Sequence, residues 1–193
     1  MDMSSMPGPE KDSAPVKRRR ILDRFVRDAR GSVAIEFTAL ALPFSMLVFA
    51  VFESCISFAA QQLMSNVTDD VARQFRTGQI KQATLNPQDI HDMICDRLEI
   101  VVSTGCPGLF IDLKRYDTFA EAAKVRTKFT PDNDLDTSDF TIEPGMSMSK
   151  NQLRVFYKWP VMTDFLRKSM SNIKDGKTLH FASVTWQNEP FDD

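Results

Sequence analysis

Apolar side chains crowd one stretch of this chain. From Phe37 to Phe52 no charge interrupts them, Glu53 then intervenes, and Ser54 to Ala60 continues largely apolar. The uninterrupted part is about 16 residues, or about 24 Å as helix, short of the 20 or so that a bilayer asks for. Counted from Val33 to Ala60 it reaches about 28, which reads as a single membrane span with a carboxylate near each end. Pro43 lies inside and removes one backbone hydrogen bond, which membrane helices tolerate when their neighbours re-satisfy it.

The rhythm then changes without breaking. Leu63, Val67, Val71 and Phe75 recur at intervals of four, one apolar stripe on a continuing amphipathic helix that Gly78 ends. The helix therefore extends from about Ser32 to Thr77. Its stripe is expected to pack on the domain that follows, with a neighbouring subunit as the alternative.

Asn86-Pro87 is a good N-cap and first-turn pair, and Ile90, Met93, Ile94 and Leu98 form a helical face through Glu99. Leu109 to Tyr116, Gln152 to Trp159 and Leu179 to Trp186 read as strands. Thr118 to Lys124 and Met162 to Met170 read as short helices. Phe129 to Lys150, rich in Pro, Asp, Ser and Met, reads as a loop. The fold class expected is α+β: a long N-terminal transmembrane helix continuing as an amphipathic helix, then a small exported pilin-like domain with a mostly antiparallel sheet. The organisation expected is a basic leader 1–31, the helix 32–78 and the domain 79–193.

Charge changes the picture at one place. The whole chain carries a net charge of −2, so no global field points to nucleic acid. From Lys17 to Arg30, however, seven basic residues face two acids (Asp23 and Asp28) immediately before the apolar run. By the positive-inside rule that excess holds the N-terminus in the cytoplasm and sends the rest outward. A nuclear or nucleic-acid patch is the competing use of such a cluster, but no interleaved aromatics support it. Three other readings of the apolar run remain open. One is a secretory signal with Ser57-Phe58-Ala59 near its cleavage site, another a plain membrane anchor, and the third a buried helix of a soluble core.

The boundary itself carries the chemistry. Gly31 sits where the basic tail meets the helix, and Glu36 and Phe37 follow just inside. A carboxylate within a bilayer costs on the order of 3 kcal/mol even on the gentler scales, so Glu36 needs a reason to be there. The run from Gly31 to Pro43, with Glu36-Phe37 and the later Pro, resembles the N-terminal signature of TadE-like proteins, the pseudopilins of tight-adherence (Tad/Flp) pilus systems. Glu53 resembles a second acidic position of that family. Arg76-Thr77-Gly78-Gln79 and Gln187-Asn188-Glu189-Pro190-Phe191 are similar to stretches that end its long helix and close its chain. Two departures stand out: Ser32 follows Gly31 in place of a small apolar residue, and the N-terminal tail is long.

The resemblance implies a bacterial inner-membrane protein, single-pass, with its N-terminus cytoplasmic and its C-terminal domain periplasmic. It implies cutting after Gly31 by a prepilin peptidase, with Gly31, Ser32, Glu36 and Phe37 as the processing residues. The new Ser32 amine would then meet Glu36 of a neighbour. The partners implied are that peptidase, other pilin and pseudopilin subunits with the inner-membrane pilus platform, and the lipid bilayer, with no nucleic acid. The reading from a different class is a membrane-anchored envelope binding module that no peptidase processes.

Cysteines and acids add two expectations. An oxidising compartment favours a Cys95–Cys106 disulfide, whose short loop contributes about 2–3 kcal/mol by the loop-entropy account. Cys55 is left over, toward the outer end of the span. Asp132-Asn133-Asp134-Leu135-Asp136-Thr137 with Glu143 has the carboxylate spacing of a calcium loop. Thr137 replaces the glycine that its turn requires, so a solvated acidic loop is the expectation and calcium the alternative. No catalytic residues, no resident metal and no cofactor are expected. The two histidines, His91 and His180, stand in no nucleophile or metal motif, and His180 reads as a sheet histidine.

Overall fold

The computed structural model describes residues 32–80 and 86–192. The leader 1–31, with its basic cluster and Gly31, lies outside the described residues. The chain divides into two compact units, one ending at Leu47 and one running from Val48 to Asp193.

The first unit contributes the start of helix α1, which spans Ser32–Arg76 as one continuous element with Pro43 inside it. Its side chains here are exposed almost throughout, including Ile35, Phe37, Leu40, Leu42 and Phe44. This helix is long and apolar enough to cross a membrane.

In the second unit α1 acquires a buried face. Ala60, Met64, Val67, Val71, Ala72 and Phe75 are buried, and Leu63 packs beside them. The stripe read from the sequence thus packs on the domain that follows. Full burial of each large side chain in it contributes about 1.5–3 kcal/mol. The chain ends the helix through Gly78, whose φ of 71° lies in the left-handed region.

Helix α2, Pro87–Leu98, follows. A capping box starts it: the Asp89 carboxylate accepts from the Asn86 backbone N–H at 3.1 Å. Ile90, Ile94, Cys95 and Leu98 turn to the core. Strand β1 (Leu109–Tyr116), the short helix α3 (Phe119–Ala122), the two-residue β2 (Ile142–Glu143) and β3 (Lys150–Pro160) come next. Helix α4 (Asp164–Met170), a 3₁₀ turn (Lys174–Gly176) and β4 (Lys177–Gln187) complete the fold.

The sheet has order β2-β1-β3-β4. The β1–β3 and β3–β4 pairs are antiparallel and the β1–β2 pair is parallel. The segment expected to be only a loop therefore contains a fourth strand. Two residues are too few to show a period of two, and β2 exists because Leu113 pairs with Ile142 and Lys114 with Glu143.

Register sorts the two faces of the sheet. Leu113, Leu153 and Val184 lie in one row, and Ile111, Val155 and Ala182 in the next. These side chains join α1 and α2 in one core. The opposite face carries Phe110, Phe156 and Phe181 in one row and Asp112, Arg154 and Ser183 in the next. It is covered too. Phe140 stacks on Phe156 at 5.2 Å between ring centroids, and the Ala122 carbonyl accepts from Gln152 Nε2.

That cover buries an ion pair. Asp112 and Arg154 are 1% and 6% exposed. Asp112 Oδ2 accepts from Arg154 Nε at 3.0 Å and Nη2 at 2.6 Å. Asp112 Oδ1 accepts from the Thr141 backbone N–H at 3.0 Å and lies 3.3 Å from Lys114 Nζ. The guanidinium also sits over the Phe140 and Phe156 rings. The charges are thus hydrogen-bonded on every side that burial closes to water, as a buried pair requires.

Candidate functional site

The processing residues expected from the sequence fall at the start of α1. Gly31 lies outside the described residues, and Ser32 opens the helix. Glu36 and Phe37 lie in its second turn, both exposed. Around them Val33, Ile35 and Leu40 also face outward.

Glu53, by contrast, is 6% exposed. Its carboxylate accepts from the backbone N–H groups of Met162 and Thr163 and from the Thr163 hydroxyl. Those residues form the link between β3 and α4, so the second acid of the apolar run ties the helix to the folded domain. A carboxylate in a largely apolar helix has its cost offset by three donors from one short loop.

Two further polar residues extend that junction along the same face of α1, at spacings of four. Ser57 Oγ lies 3.0 Å from His180 Nε2. Gln61 donates from Nε2 to the Phe181 carbonyl at 2.8 Å and accepts from the Phe181 N–H at Oε1, 3.1 Å. Gln61 therefore pairs with the free edge of β4 as a neighbouring strand would. The Glu53, Ser57, Gln61 ladder is visible in the sequence as a polar interval of four within apolar surroundings, yet its partners lie more than a hundred residues away.

His180 is a buried sheet histidine. Its ring stacks on Trp159 at 5.3 Å between centroids. Burial lowers its pKa from 6.5 to about 4, which keeps the ring neutral at ordinary pH.

At the other end of α1 the two sequence stretches quoted above for their family resemblance meet. The Glu189 N–H donates to the Arg76 carbonyl at 2.9 Å, and the Glu189 carboxylate lies 3.4 Å from Arg76 Nε. Phe191 packs so closely on Gly78 that a Cβ there would sit 2.7 Å from its ring. Asn188 holds the tail in place. Its Oδ1 accepts from Trp186 Nε1 at 2.7 Å, and its Nδ2 donates to the Gly145 and Met146 carbonyls.

Cys95 and Cys106 are joined by a disulfide with Cα atoms 5.8 Å apart, which ties the last turn of α2 to the turn before β1. Glu99 Oε1 accepts from the Gly105 N–H at 2.8 Å inside the same loop. Cys55 is exposed and free.

The acidic loop spends its carboxylates separately. Asp132 pairs with Lys174 at 3.2 Å and Asp134 with Lys158 at 2.7 Å, and Asp136 accepts from the Ser138 N–H and hydroxyl. The Lys158 side chain holds the Asp134 carboxyl below its usual range. Glu143 belongs to β2. Among the described residues no three His, Cys, Asp or Glu side chains converge as metal ligands.

No significant match was found among curated proteins or among solved structures. Residues 31–73, which include Gly31, Glu36, Glu53 and the stripe of α1 as far as Val71, match the family described as TadE-like protein.

Proposed function

We propose that this chain is a minor pseudopilin-like structural protein of a Tad/Flp-type pilus assembly machine. It is non-enzymatic, and it sits in a bacterial inner membrane with residues 33–52 across the bilayer. Its N-terminus is cytoplasmic and its disulfide-bearing domain periplasmic. A prepilin peptidase cuts after Gly31. The mature helix then packs among other pilin and pseudopilin subunits and the membrane platform, helping pilus initiation or assembly.

The observation that carries this reading is the match of residues 31–73 to TadE-like proteins. The segment begins at the glycine of the basic-to-apolar boundary and contains Glu36. Physical chemistry supplies the role of each part. Removal of the leader leaves a positive amine on Ser32. A carboxylate in a low-dielectric environment pairs favourably with such an amine on a neighbour, because each charge offsets part of the other's desolvation. That pairing fixes the axial stagger between subunits more than it tightens them.

Substitution of Glu36 tests the reading. Glu36→Gln and Glu36→Leu leave membrane insertion intact and leave the bond after Gly31 cleavable, while piliation falls, as read by electron microscopy and shed-pilus assays. Normal piliation with both variants makes Glu36 a bystander and turns the account toward a membrane-anchored binding module.

A further inference from the structure

We propose that the link and helix at residues 162–170 form a membrane-surface contact, seated in the headgroup layer of the leaflet that the span of the proposed function reaches. The inference rests on that span. The Val48–Asp193 unit contains the last residues of the apolar run, with Phe49, Val51 and Phe52 exposed. Glu53 follows directly, and at a rise of about 1.5 Å per residue it lies at the edge of the same apolar layer. Residues 33–52 as helix cover about 30 Å, the thickness of a hydrocarbon core.

Two contacts fix α4 at that level. At its N-terminal side the Met162 and Thr163 backbone N–H groups donate to Glu53. At its C-terminal side the Ser54 hydroxyl lies 3.7 Å from Met170 Sδ. Both ends of the 162–170 segment thus meet α1 within two residues of the end of the apolar run. They do so with an apolar side chain turned outward: Met162 is 68% exposed. Further along α1, about 6 and 9 Å beyond Phe52, Ile56 and Phe58 are 45% and 73% exposed, the aliphatic and aromatic side chains expected at a bilayer interface.

The basic residues of this segment fit the same occupant. Arg167 and Lys168 occupy the last turn of α4; the Arg167 stem lies against Gly176, and Lys168 is exposed. Long basic side chains lay their stems on apolar surface and reach anionic headgroups with their charged ends. The segment's own acid, Asp164, stands at the start of α4 against these two bases, while Glu53 is turned inward onto its three donors and so does not oppose those headgroups. A lipid surface therefore accounts for exposed apolar and basic side chains lying together at one depth.

The test uses the full chain with Cys55→Ser, reconstituted alone in vesicles of phosphatidylethanolamine and phosphatidylglycerol. Single nitroxide labels are placed through Leu42→Cys, Met162→Cys and Lys124→Cys, the last an exposed site on the domain. Collision with oxygen and with a water-soluble nickel chelate is then measured. The proposal expects Leu42 to be shielded from nickel, Lys124 to be open to it, and Met162 to lie between, with a several-fold lower nickel accessibility than Lys124. Equal accessibility at Met162 and Lys124, with Leu42 shielded, overturns the surface contact and leaves the span standing. A Leu42 label as open as Lys124 overturns the span and the contact with it. Shielding of Met162 that vanishes as the protein is diluted in lipid identifies a second copy of the chain as the cover and overturns the lipid assignment.

Discussion

Glu53→Ala removes the acceptor that holds the β3–α4 link to the long helix. In the native fold the carboxylate receives two backbone N–H groups and one hydroxyl at a residue that is 6% exposed. Hydrogen bonds to a charged group contribute about 1.5–3 kcal/mol each when broken in isolation. Here the donors of the exposed Met162 and half-buried Thr163 regain water, so the three losses do not add in full. The expected net destabilisation is about 2–3 kcal/mol. For a unit of this size that lowers the Tm by on the order of 5–10 °C. Glu53→Gln keeps one acceptor oxygen and turns an NH₂ toward donors, so it falls between the two. Thermal unfolding in detergent, followed by near-ultraviolet circular dichroism, reads the shift. Limited proteolysis at the basic sites 167–177 reads whether the loss is local. A Glu53→Ala variant within about 0.5 kcal/mol of wild type, with no new cleavage, refutes the claim that this carboxylate ties helix to domain.

Three further outcomes follow from the same geometry. Asp112→Ala strands the Arg154 guanidinium in the sheet and costs about 3–5 kcal/mol, whereas Asp112→Leu combined with Arg154→Met is much less harmful; chemical denaturation of both separates a lost partner from lost packing. Reducing the Cys95–Cys106 bond lowers stability by about 3 kcal/mol through the loop it closes, read as a shift of the denaturation midpoint with and without reductant. His180 has a folded pKa of about 4 against 6.5 when unfolded, so the unfolded chain binds the extra proton between those values. Its contribution is complete above about pH 6.5 and is lost as pH falls toward about 4; a stability–pH profile in which His180→Phe has the same slope across that window refutes it.

The sequence made the long helix legible because its signals are local. An unbroken apolar run, a period of four through Phe75 and a glycine at position 78 need no knowledge of the rest of the chain. Strands β1, β3 and β4 were likewise marked by their own patterns, and helix α2 by its apolar face and its Asn86-Pro87 cap. What the sequence hid depends on distant partners. The strand order β2-β1-β3-β4 follows from pairings of residues 17 to 48 positions apart, which no local period encodes. Asp112 and Arg154 look like the wet face of a half-buried sheet; the cover from Phe140 and its neighbours makes them a core pair. Glu53 read as a boundary charge, and its actual use required the amides of Met162 and Thr163 to arrive from the other end of the domain. The acidic loop had calcium-like spacing, but Lys158 and Lys174, invisible from its own sequence, take its carboxylates.

The account stands most directly on the bond after Gly31. Intact mass of the protein extracted from membranes, with and without co-expression of the matching prepilin peptidase, measures whether that bond is cut. The account predicts loss of Met1 to Gly31 and a mature chain beginning at Ser32, with the helix, Glu36 and the disulfide retained. A full-length mass in the presence of active peptidase, or a mature N-terminus at Ala60 or Gln61, contradicts it.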